Sequence, residues 1–193
     1  MTFPRALAAL LCMLTGTWPA FAIAQEVSVW PALRDGGLVL MLRHAETDPG
    51  FGDPPDFRQG DCSTQRNLSA AGRAQARRFG QRLKQQGVAV DAVYSSRWCR
   101  CLDTARLAFG KVTPLPALDS FFGEPQRREA QTADLRRYLA QLKAQDRKGN
   151  LVLVTHQVNV TALTGIHPAM GEAVVLQHSA SGALEVIGRL PPP

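Results

Sequence analysis

The sequence predicts an α/β chain: a three-layer α/β/α sandwich around a mostly parallel sheet with an antiparallel edge strand. Three observations predict it. Short apolar runs at residues 38–42 and 151–155, the first suited to burial on both faces, and a β-branched run at 88–94 have the length and composition of strands. Helical patterns alternate with these runs up to Gly165, as crossover helices between parallel strands do. Two further extended runs, 173–177 and 184–188, flank Ser181-Gly182, which is a hairpin signal at a sheet edge.

The first 24 residues stand apart from this pattern. Arg5 is a basic n-region, residues 6–14 are an apolar h-region, and Ala20-Phe21-Ala22 and Ala22-Ile23-Ala24 are small-x-small sites. This is the pattern of a secretory signal peptide cut after Ala24. The apolar core is short for a membrane anchor, and Leu11 before Cys12 is too bulky for a usual lipid-attachment signal. Residues 25–193 then make a single domain, a length one core can support. No later run is apolar enough to span a bilayer.

Taken in order, Ala32 to Gly37 is a short helical turn ended by glycine. The strand at 38–42 follows, then a Pro/Gly-rich loop over about 45–67, long enough to be functional. Ser69 is a good N-cap for a helix whose Gly72, Ala76, Phe79 and Leu83 share one face. Gly87 ends it. After the strand at 88–94, residues 97–106 turn into a helix that stops near Gly110. Val112 to Pro116 is extended and proline-locked, and 118–131 is irregular. Thr132 is the expected cap of the next helix, with Leu135, Tyr138, Leu139 and Leu142 as its buried stripe. Lys143, Arg147 and Lys148 suit its C-terminal end. The run at 151–155 follows, then a short helix over about 158–163.

The formal charge is +6, with arginines concentrated between Arg58 and Arg106. Such a balance fits an anionic partner. Basic residues do not alternate with aromatics as in single-strand nucleic-acid binders, which argues against a nucleic acid and leaves an anionic membrane surface, an anionic small substrate or simply solvated helix faces. Without the leader, Cys62, Cys99 and Cys101 remain. In an oxidising compartment Cys62 would pair with Cys99 or Cys101; three buried free thiols is the other reading.

Three strands end on polar groups: Arg43-His44, Ser95-Ser96 leading to Arg100, and Thr155-His156. Parallel strands place their carboxyl ends on one edge, where ligands bind. Two histidines and several arginines therefore converge without being sequence neighbours. Guanidinium forks bind phosphate oxygens. A neutral imidazole whose other nitrogen is held can act as a nucleophile, and a second imidazole, if protonated, adds a cation to the phosphate site.

Arg43-His44-Ala45-Glu46-Thr47 resembles the Arg-His-Gly-Glu-Thr signature of the histidine phosphatase superfamily, the phosphoglycerate-mutase-like fold. Leu68 to Ala76 resembles its Leu-Thr-x-x-Gly-x-x-Gln-Ala helix start, Ser95 to Ala105 its Ser-(Ser/Pro)…Arg-Ala-x-x-Thr-Ala segment, and Leu153 to His156 the stretch with its second histidine. The resemblance implies that His44 becomes phosphohistidine and that Arg43, Arg100 and His156 complete the phosphate pocket, without metal or cofactor. Arg97 is expected at the rim, and Thr47 and Arg66 as further loop contacts. The leader and the segments around Cys62, Trp98 and Gln157 are similar to exported bacterial members related to lipopolysaccharide core heptose phosphate phosphatases, which implies a phosphorylated sugar or glycolipid substrate and a periplasmic or secreted location.

The chain departs from the family pattern at the proton donor. Many relatives carry a glutamate where this chain has Ser120, and the acid-phosphatase branch an aspartate where it has Gln157. Glu124, then Asp119, then Glu172 are the candidate donors. Two other readings compete. His44-Ala45-Glu46 fits the His-x-Glu of zinc deaminases, but Cys99-Arg100-Cys101 lacks their Pro-Cys-x-x-Cys. A non-catalytic phosphate-binding or interaction domain of the same fold would keep the arginines and lose turnover.

Overall fold

The computed structural model describes residues 28–142 and 148–193. The expected signal peptide, Lys143 and Arg147 lie outside the described residues. Six strands form one sheet: β1 (Val39–Arg43), β2 (Val90–Ser95), β3 (Thr113–Pro114), β4 (Asn150–Thr155), β5 (Ala173–His178) and β6 (Leu184–Leu190). Their order is β3-β2-β4-β1-β5-β6. The β1–β4, β2–β4 and β2–β3 pairs are parallel. The antiparallel part is the edge hairpin, in which β5 runs against β1 and β6 against β5.

Among the described residues, five α-helices accompany the sheet: α1 (Trp30–Asp35), α2 (Ala70–Gln85), α3 (Cys99–Phe109), α4 (Arg128–Gln141) and α5 (Gln157–Thr164). The period-2 alternation of a strand divides β1 between two cores. Leu40 and Leu42 pack with Leu33, Phe79 and Leu83 on one face. Val39 and Met41 pack with Leu135, Leu139 and Val160 on the other. Each such side chain contributes roughly 1.5–3 kcal/mol by leaving water, which is why the central strands read as unbroken apolar runs.

Ser69 caps α2 as expected, its Oγ accepting from the Gly72 backbone at 2.9 Å. The small residues of α2 serve neighbours other than the sheet. A Cβ on Gly72 would lie 1.8 Å from the Glu46 carbonyl, and one on Gly80 would lie 2.0 Å from the Ala108 carbonyl. Gly72 therefore lets the post-β1 loop sit on α2, and Gly80 lets α2 touch α3.

The start of α4 corrects the expectation at Thr132. The chain enters a 3-10 turn at Pro125–Arg127 and the helix begins at Arg128. Pro125 presets the helical φ at that turn, so Thr132 lies inside the helix. Its hydroxyl donates to the Arg128 carbonyl at 2.6 Å. Among the described residues, no helix is long and apolar enough to cross a membrane.

Candidate functional site

The register sets the site. Arg43 pairs with Thr155 across β1 and β4, and Ser95 with Val154 across β2 and β4. The three strands therefore stop level, and the next residues, His44, Ser96 and His156, emerge at one edge. The His44 backbone N–H still donates to the Thr155 carbonyl at 2.9 Å, and that of Ser96 to the Val154 carbonyl at 2.9 Å. Ala45 is pinned by the Thr104 hydroxyl of α3, which accepts from its N–H at 3.0 Å. No non-glycine residue has positive φ among those described, so alanine fits where the superfamily signature has glycine.

The His44 ring is 3 % exposed. Its Nδ1 lies 2.8 Å from the Ala45 carbonyl. A carbonyl only accepts, which assigns the proton to Nδ1 and leaves the lone pair on Nε2. Burial, then the charges of Arg100, Arg43 and Arg66, push the pKa of His44 down to about 3, against the pull of the Ala45 carbonyl. It is a neutral base at physiological pH.

The His156 ring stands 5.5 Å from that of His44, centroid to centroid. The Ser96 hydroxyl lies 2.8 Å from its Nε2 and 3.3 Å from the Asp119 carboxylate. The surroundings oppose the expected cation at this position. Burial, then Arg100, His44 and the other guanidiniums, hold His156 well below its ordinary pKa. A phosphate dianion would oppose that shift by supplying the missing counter-charge. The Cys101 thiol sits 3.5 Å from the same Nε2, and burial pushes its pKa up to about 12.

Arg43, Arg66 and Arg100 line one cavity of about 660 Å³ with both histidines. The Nε of each is buried and has no acceptor among the described residues. Three guanidiniums around one cavity suit a polyoxygen anion, which such groups bind through charge-assisted hydrogen bonds. Arg43 is steadied by donating to the Pro168 carbonyl at 2.8 Å, and Arg66 by donating to the Gly50 carbonyl at 2.9 Å.

Asp53 is the site residue that the sequence conceals. Its carboxylate takes both Nη groups of Arg100, at 2.5 and 3.1 Å, the Trp98 indole N–H at 2.9 Å and the Arg66 backbone N–H at 3.1 Å. Burial works against its charge, but Arg100 and these other donors hold its carboxyl below the usual range. It lies in a Gly/Pro-rich loop where aspartate is an ordinary turn former. The clue available was the acid content of that loop, with Asp48, Asp53, Asp56 and Asp61 preceding an arginine-rich helix.

The loop is fastened to the same place by the Cys62–Cys99 disulfide. This resolves the pairing left open above and leaves Cys101 as a buried free thiol. The bond lies beside Arg100 in sequence and ties the loop to the start of α3.

The remaining candidates separate. Glu124 lines the cavity, as do Ser120 and Gln157, the two positions where relatives carry an acid. The Glu124 side chain is 56 % exposed and pairs with Arg127 at 3.3 Å. Asp119 is buried, and Arg97 grips its carboxylate through Nε at 2.7 Å and Nη2 at 2.5 Å. That places both outside the cavity lining: Arg97 steadies Asp119, which in turn steadies Ser96. Glu172 is committed to Arg189 and to the Ala169 N–H. Thr47 is buried with its hydroxyl toward the Met170 sulfur at 3.8 Å, also outside the lining. Among the described residues no three His, Cys, Asp or Glu side chains gather as metal ligands would.

Comparison with known proteins places this geometry. Residues 39–134 match the family model of the histidine phosphatase superfamily (branch 1). Among solved structures, the protein histidine phosphatase SixA complexed with tungstate superposes with a TM-score of 0.60 at 18% identity, covering 80% of this chain and 97% of that one. A mycobacterial glucosyl-3-phosphoglycerate phosphatase gives 0.60 at 18% identity, over 81% and 99%. The alpha-ribazole phosphatase of Shigella flexneri gives 0.54 at 19%, over 77% and 95%. No curated protein sequence matches the chain.

Proposed function

The chain belongs to the histidine phosphatase superfamily, and from that premise we propose that it hydrolyses a phosphomonoester through a phosphohistidine on His44. One observation carries the reading: an imidazole locked at Nδ1 shares a cavity with three guanidiniums. Nε2 attacks phosphorus in line, and the bond to the ester oxygen breaks. Arg43, Arg66 and Arg100 offset the charge on the non-bridging oxygens, each well-aimed donor contributing about 3 kcal/mol. Glu124 is the carboxyl group positioned in the wall to give the leaving oxygen its proton. Water then attacks the phosphohistidine, phosphate departs, and Nε2 recovers its lone pair. His156 sits beside the transferred group and accepts positive charge as the dianion enters.

We place the protein outside the cytoplasm, in the periplasm or secreted. The leader motif and the Cys62–Cys99 bond support this, because such bonds persist in oxidising compartments. For the substrate we propose a phosphorylated sugar or a lipopolysaccharide-core glycolipid, on the family resemblance. The solved neighbours act on differing phosphate compounds by their names, so the fold does not choose among them.

The test is trapping by a rapid alkaline denaturing quench during turnover of an aryl phosphate. Wild type should yield an acid-labile, base-stable phosphoenzyme on His44. His44→Ala should yield none and lose activity by about 10³-fold or more. Equal hydrolysis by the two proteins would refute the nucleophile. Phosphate binding without turnover in wild type would make the chain a binding domain.

A further inference from the structure

The cavity is larger than a phosphate group requires; about 660 Å³ falls in the ~300–1,000 Å³ range of sites that enclose a whole small molecule. Its outer wall carries an unusual feature. Phe51 is 88 % exposed and Phe122 51 %, and among the described residues Val186 is the other large exposed hydrophobic. Both phenylalanines line the cavity that holds His44. They come from different loops, yet their rings meet edge to face at 5.1 Å and 76°. Scattered apolar residues on a surface need no explanation, whereas a pair converging on a polar cavity marks a binding patch.

We propose that Phe51 and Phe122 form a ring-stacking subsite that selects phosphomonoesters carrying a saturated sugar ring. This rests on the phosphatase reading above and deepens it. The edge-to-face contact braces Phe51 while its high exposure leaves ring surface open. The C–H face of a sugar ring carries partial positive charge and suits the negative face of an aromatic ring. The same wall presents Ser120 and Gln157, which meet hydroxyl groups at the ring's rim. A hydrocarbon chain would use the phenylalanines but strip water from those polar groups without replacing it. A small acyclic ester would seat its phosphate among the arginines and gain little from the rings.

Glucose 6-phosphate and glycerol 3-phosphate test this, since both are primary alkyl esters and differ in the ring. Wild type should favour the sugar phosphate in kcat/KM by about tenfold. Phe51→Ala and Phe122→Ala should each remove most of that preference and leave glycerol phosphate within about twofold. Phe51→Trp should keep the preference and Phe51→Leu should lose it, which separates stacking from plain apolarity. Equal losses on both substrates, or no preference in wild type, would overturn the subsite while leaving the phosphatase reading intact. Were neither ester hydrolysed, calorimetric binding of the same two esters decides. Tighter binding of the sugar phosphate that vanishes in Phe51→Ala upholds the subsite without the chemistry, and equal binding defeats it.

Discussion

The strand-end histidines and the two irregular loops share one cavity but are held there by different means. His44 and His156 leave buried strands whose backbone ladder continues past them, and both residues are themselves buried where they meet the cavity. Asp53, Arg66 and Phe51 depend on a loop with little apolar burial, fastened by the Cys62–Cys99 bond, the Asp53–Arg100 pair and the Trp98 indole. A reacting nitrogen must keep its position to within a fraction of an ångström, which a sheet edge provides. Substrate contacts tolerate more movement, and loops supply them. Chemistry and selectivity should therefore fail separately.

The largest separation should follow removal of the disulfide. The bond spans 37 residues, for which chain-entropy reasoning gives about 3–4 kcal/mol of stability. Cys62→Ser with Cys99→Ser should lose that amount in urea unfolding. Below its unfolding transition the variant should show a raised KM with kcat for an aryl phosphate nearly kept, because the strand ends do not lean on the bond. If kcat collapses in a variant with native circular dichroism, the two regions are one mechanical unit.

The same division explains what could be read from the sequence. The strands at 38–42 and 151–155 announced themselves because burial on both faces admits only apolar residues, and the histidines stood where those runs stopped. Ser69 was legible because capping is local chemistry. Asp53, Trp98, Phe51 and Phe122 were not, since their roles depend on which distant segment the loop meets. Arg97 and Asp119 were misplaced for the same reason. Arg97 was expected at the rim and Asp119 among the candidate donors, and they satisfy one another at a distance of 22 positions. Thr132 misled because a local cap preference was outranked by Pro125, which starts the helical path earlier.

A smaller effect should attend Glu124, the loop acid proposed to protonate a leaving group. Glu124→Gln should leave an aryl phosphate unaffected, because a phenolate of low pKa departs unaided. An alkyl phosphate should slow by about 10²-fold, the lower end of general-acid effects. Equal slowing of both esters would assign Glu124 to binding. No slowing of either would pass the proton transfer to water or to Asp53, which shares the cavity.

The smallest effect per step belongs to the strand ends and is read from stability against pH. His44 has its folded pKa pushed down to about 3 by burial and the guanidiniums, against about 6.5 when unfolded. As pH falls below about 6.5 the unfolded chain takes up a proton that the folded chain refuses until about pH 3. Stability is therefore complete above that window and lost on acidification through it, by up to about 1.4 kcal/mol per pH unit for each such histidine. His156 is shifted the same way and adds to the slope. Between pH 6 and 5, roughly above the range in which carboxylates titrate, the histidines should dominate. His44→Asn should flatten the dependence by about one proton, measured as unfolding free energy at pH 7, 6 and 5. An unchanged slope would mean that the His44 imidazole takes up its proton in the folded site, and the sheet edge would then hold a cation where a nucleophile is needed.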